Sequence, residues 1–91
     1  MASIKVKDFS EAAAIRVVCR GAFLGFESNP DWSYFLFADS DEVIQTRHLH
    51  LTNQLQVNTM DYAIELRQLK IELFAERGRK GFRIGKRRNG P

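Results

Sequence analysis

The sequence predicts an α+β fold, a small, antiparallel-rich three-stranded sheet covered by helices, with a flexible basic arm at the C-terminus. Three observations predict it. Apolar residues recur with period two in three short segments and with helical period in three others. These segments follow one another as β-α-β-β-α-α. The last fifteen residues then drop almost all their apolar side chains and carry only positive charge. With 91 residues, 44% of them hydrophobic and seven of them Phe, the chain holds enough apolar surface for one core and too little length for a second.

The elements follow in order. Residues 3–9 alternate apolar and polar, which reads as a strand with Ile4 and Val6 on one face. Ser10 precedes Glu11 and an alanine run, so it reads as the N-cap of a first helix, with Phe9 stapled onto Ala14. Ile15, Val18 and Cys19 form that helix's core stripe, Arg16 and Arg20 face outward, and Gly21 stands at the left-handed position that ends it. Residues 22–28 and 32–38 are aromatic-rich and flank a turn at Pro30 and Asp31, which makes a β-hairpin. In its second strand Trp32, Tyr34 and Leu36 point one way, and Ser33, Phe35 and Phe37 the other. Both rows are largely apolar. One must cover the helices, leaving the other for the arm, a partner or solvent.

Asp39, or alternatively Ser40, caps a second helix at about 41–52, in which Ile44, His48 and Leu51 share the core side. Asn53 and Gln54 end it. Asn58 caps the last helix, about 59–77, with Asp61 in its first turn. Tyr62, Leu66, Leu69 and Leu73 form its core stripe, while Ile64 and Ile71 lie nearly opposite and suit a second partner surface. Gly78 is the expected stop. If the first strand pairs parallel with a hairpin strand, its crossover through the first helix is right-handed.

Charge divides the chain in two. Residues 1–76 hold seven Lys and Arg against all eleven acids, a net of −4. Residues 77–91 hold seven bases and no acid. Residues 1–77 therefore read as one folded domain and 78–91 as a mobile, glycine-rich basic tail whose apolar content is too low to offset its ordering entropy. Arg77, Arg79, Lys80, Arg83, Lys86, Arg87 and Arg88 are the candidate phosphate contacts, and Phe82 the candidate base stack.

Val6-Lys-Asp-Phe9 entering an Ala-rich helix, Tyr34-Phe-Leu-Phe37 running into Ala38-Asp-Ser-Asp-Glu42, Gln56-Val-Asn58, and the helix Ala63-Ile-Glu-Leu-Arg-Gln-Leu-Lys70 are together similar to a small domain-of-unknown-function family of prokaryotic and viral proteins. The resemblance spans residues 4–74 and leaves the tail outside. It implies a bacterial, archaeal or phage source in a mobile-element setting, with nucleic-acid or host-protein partners. It implies no activity and no catalytic residue.

Enzyme chemistry finds no constellation. His48 and His50, two apart on a helix, lie roughly 200° from each other and cannot share a metal as an i, i+4 pair does. Asp39, Asp41 and Glu42 are accounted for by capping. Cys19 sits on an apolar stripe without a base, and Gly21 and Gly25 belong to no phosphate loop. No catalytic residue, metal site or cofactor is expected. The start of the chain lacks a signal-peptide apolar stretch and no run approaches a membrane span, so a cytoplasmic protein without membrane contact is expected. The expected function is non-enzymatic nucleic-acid binding through the arm, to DNA or RNA. The alternative is a protein-interaction module engaging a host protein, or forming a homodimer through Trp32, Tyr34, Phe35 and Phe37 of the hairpin.

Overall fold

The fold is α+β. In the computed structural model, which describes residues 3–81, β1 (Ser3–Val6), α1 (Phe9–Val18), β2 (Phe23–Ser28), β3 (Ser33–Ala38), α2 (Asp41–Leu51) and α3 (Thr59–Arg79) follow one another, with a single 3₁₀ turn at Arg20–Ala22 before β2. The sheet order is β1-β3-β2 and both pairings are antiparallel. Among the described residues there is no parallel crossover, so its handedness does not arise. β3 is central, with Phe35 facing Val6 on one side and Phe26 on the other, and Phe37 facing Ile4 and Phe23.

Those six side chains form the inner face, on which the helices pack. Phe35 is 1% exposed and Phe37 is fully buried, in one core with Val6, Ala12, Ile15, Cys19, Val43 and Leu69. The rings of Phe9 and Phe35 meet edge-on at 5.1 Å, and those of Phe23 and Phe26 at 5.3 Å. Edge contacts of this kind let each ring's positive rim face a neighbour's negative face. Helix α1 packs against both α2 and α3.

Several local expectations are corrected. β1 stops at Val6 because Asp8, not Ser10, caps α1. Its Oδ2 accepts the Glu11 N–H at 3.2 Å and the Ser10 hydroxyl at 3.1 Å. Phe9 is therefore the first helical residue rather than a staple ahead of the cap. Val18 is exposed, and the buried side of α1 runs through Ala12, Ile15 and Cys19. Arg16 does not face outward. It lies between α1 and α3, with Nε 3.0 Å from Glu65 and NH1 2.9 Å from Glu72. Gly21 is not left-handed. The positive-φ glycines among the described residues are Gly25, at a bulge in β2, and Gly81.

In α2 the cap is the alternative, Ser40, whose Oγ accepts the Val43 N–H at 3.3 Å. The core side is Val43 and Thr46, while Ile44, His48 and Leu51 face away, Leu51 being 68% exposed. The reason is that the α1–α2 contact is built from polar pairs. Arg47 donates to Glu11, and Thr46 lies 3.5 Å from the Cys19 sulfur. Asn53, at φ 59, closes the helix in the left-handed region that Asn tolerates. Asn58 caps α3 as expected, accepting the Asp61 N–H at 3.0 Å. Gly78 does not stop α3. The helix continues through Arg79 and Gly81 takes the left-handed position at φ 77. Salt bridges from Arg79 and Lys80 back to Glu76 hold this last turn wound. Among the described residues, no helix is long and apolar enough to cross a membrane.

Candidate nucleic-acid interface

The outer face of the sheet is the one the helices leave open. Because side chains alternate along β3, burying Ser33, Phe35 and Phe37 turns Trp32, Tyr34 and Leu36 outward. The β1 register then brings Lys5, opposite Leu36, to the same face. Lys5 Nζ lies 5.6 Å from the centroid of the Tyr34 ring, and Lys7 Nζ lies 4.4 Å from that of Trp32. Exposed cation–π contacts contribute about 0.5–1 kcal/mol, so these ammoniums are held loosely enough to turn toward another anion. Lys5 also reaches Glu27 at 3.0 Å, an exposed pair that screening weakens.

Trp32 lies just before β3, at the lip of the face, 40% exposed and perpendicular to Tyr34 with centroids 6.4 Å apart. An Asx turn places it. Asn29 Oδ1 accepts the N–H groups of Asp31 at 2.8 Å and Trp32 at 2.9 Å, and the Trp32 carbonyl accepts from Asn29 N.

Arg77 locks the end of α3 onto this same turn. Its guanidinium donates to the carbonyls of Asn29 (3.0 Å) and Pro30 (2.7 Å) and to Ser33 Oγ (3.0 Å), and the residue is 5% exposed. A planar fork with several fixed donors suits this task, which a lysine could not reproduce. Arg77 is therefore a structural clasp, and its expected place among the phosphate contacts is corrected. Arg79 and Lys80 remain at the surface, both paired with Glu76. The last turns of α3 are thus fixed, through Arg77, to the hairpin turn that precedes Trp32. Phe82, Arg83, Lys86, Arg87 and Arg88, and with them the expected mobile arm, lie outside the described residues.

The hairpin candidates separate by face. Phe35 and Phe37 are core, so neither can stack on a base or meet a second copy, whereas Trp32 and Tyr34 are accessible. Lys5 and Lys7 are the residues that sequence reasoning missed. Their alternation with Ile4 and Val6 already put them opposite the core row. What was lacking was the antiparallel β1–β3 pairing that sets them beside the aromatic rings.

The described residues hold no group of three or more His, Cys, Asp and Glu placed to share a metal. Asp8, Ser10 and His50 do converge, with the Ser10 hydroxyl 3.5 Å from His50 Nε2. The order is wrong for a nucleophile, because the carboxylate accepts from the serine and caps a helix rather than orienting the imidazole. Burial pushes the Cys19 thiol above its ordinary range, against the opposing hydrogen bond with Thr46. Thr46 also donates its hydroxyl to the Glu42 carbonyl at 2.8 Å. A protonated, buried thiol is a poor nucleophile.

No family model, curated protein or solved structure matches this chain.

Proposed function

We propose that the chain is a non-enzymatic nucleic-acid-binding protein that grips phosphates with its basic C-terminal segment. The observation that carries this reading is the Arg77 clasp, which roots that segment at the lip of an open, lysine-flanked aromatic face. Beyond the clasp every charged side chain is a base, and the body behind it is net acidic. Phosphate repulsion by the body confines contact to the segment and the adjoining surface.

Anisotropy of labelled single- and double-stranded DNA and RNA at two salt concentrations tests the reading. The comparison is between the full chain and a variant carrying Arg83→Gln, Lys86→Gln, Arg87→Gln and Arg88→Gln. Four neutralised phosphates give a log–log salt slope of about −3, which the variant should lose. Unchanged binding by the variant would refute the segment's role.

A specific observation favours a second reading, in which α3 docks a protein. Met60, Ile64, Ile71 and Phe74 are all exposed and recur along the side of α3 away from the core. Such a contact would be nearly indifferent to salt, so the same titration separates the two.

A further inference from the structure

We propose that the outer sheet face is a second contact, specific for single-stranded nucleic acid, whose bases stack on Trp32 and Tyr34 while Lys5 and Lys7 turn to the phosphates. This inference rests on the nucleic-acid reading above and adds to it the form of nucleic acid bound.

The argument begins with shape. Beyond Tyr34 the face continues over Leu36, with Gly25 as its neighbour on β2, and over Ala38, with Ser3 as its neighbour on β1. A side chain built at Gly25 would meet nothing within 4 Å. The floor is therefore low and open, with two aromatic rings at one end. Stacking on protein rings requires a base whose flat face is free, and in a duplex both faces are covered by neighbouring base pairs.

Charge supports the same occupant. An ammonium sits over each ring, 4.4 and 5.6 Å from the centroids, on a flexible stem that can swing to a phosphate when a base takes its place. Glu27 pairs with Lys5 at 3.0 Å, an exposed contact that Lys5 gives up when it turns to a phosphate, so Lys7 supplies the uncompensated charge of the face. Asp31 lies in the turn. The basic segment starts at the same end of the sheet, so one strand can meet both contacts. A second copy laid on this face by a two-fold axis would bring two sets of Lys5 and Lys7 together, which disfavours it.

Trp32 is the single tryptophan of the chain, so its emission reports on this face alone. The full chain is titrated with short oligothymidine, oligouridine and a duplex of equal length, following Trp32 fluorescence and the anisotropy of the labelled strand together. The expected result is quenching by the single strands and none by the duplex. Tyr34→Ala should weaken the quenching about tenfold and Tyr34→Phe should restore it, with circular dichroism confirming that both variants fold. Single strands that bind by anisotropy but leave Trp32 emission unchanged, with Tyr34→Ala binding normally, would overturn the stacking face while leaving the segment reading intact. Quenching that survives the four-glutamine variant with unaltered affinity would uphold the face and overturn the segment. An emission shift driven by protein concentration alone would assign the face to a second copy and overturn the proposal.

Discussion

Along β3, adjacent residues live in different surroundings. Ser33, Phe35 and Phe37 are sealed under the helices, while Tyr34 and Leu36 on the other side stay partly open to solvent. Both rows contain aromatic rings, so residue type alone does not assign their roles. What separates them is which side the helices occupy. The inner row is held by Phe9, Val6 and Phe26, whereas the outer row is met by flexible lysines.

Substitutions on the two rows should therefore differ most sharply in stability. Phe37→Ala is expected to destabilise by about 4 kcal/mol, and Tyr34→Ala by less than about 1 kcal/mol, measured by urea unfolding. Similar losses at the two positions would mean that the outer face is packed as tightly as the inner. The next largest effect is at the clasp between the faces. Arg77→Ala leaves Asn29, Pro30 and Ser33 without their shared donor and should cost about 3 kcal/mol. Arg77→Lys should recover less than half of that, because the three donors of an ammonium radiate from one nitrogen, whereas these acceptors are spread over both terminal nitrogens of the guanidinium. Full recovery by lysine would reduce the clasp to a simple charge effect.

Smaller still is the α1 cap, which joins β1 to the inner layer. Asp8→Ala should cost about 1 kcal/mol in thermal or urea unfolding and Ser10→Ala clearly less. The reverse ranking would restore Ser10 as the cap. The slightest effect is pH-dependent. Burial alone would raise the Glu72 carboxyl, but hydrogen bonds from Arg16 and Gln68 and the Arg16 charge outweigh it and hold the group below its ordinary value of 4.5. A carboxylate lowered in the folded state stabilises fully above that value, and the contribution is lost as pH falls through the folded value. Unfolding followed from neutral pH downward should therefore show a shallow loss that begins only in the acid range and is absent in Glu72→Gln.

How legible the fold was depended on whether the signal was local. Asn58 as cap, the Tyr62–Leu73 stripe and the two hairpin strands follow from short-range chemistry and stand as read. The phase of α2 was misread because hydropathy assumes an apolar interface, and Thr46, Arg47 and His50 make a polar one with α1. Gly78 looked like a stop because its replacement signals, the Glu76 pairs and the Arg77 clasp, depend on side chains reaching backward along the helix and across to the hairpin turn. The candidate site was half legible. Trp32 and Tyr34 were visible as one row, but the parity that buries Phe35 and Phe37 instead needed the helices, and Lys5 and Lys7 needed the strand pairing.

The bulge at Gly25 has a consequence for how the molecule behaves in a crowded solution. β2 is an edge strand, and a straight edge offers its unpaired amides and carbonyls as a template on which other chains can polymerise. Between Phe23 and Gly25 the ladder slips by a residue, and the glycine's φ of 131 bends the backbone where a regular strand would run flat. An incoming strand therefore loses register after a few residues and cannot propagate. The opposite edge, β1, is only four residues long and carries Lys5, a charge that edge-to-edge stacking would have to desolvate. A small protein with an exposed aromatic sheet face thus has both flanks of that sheet guarded against fibril growth.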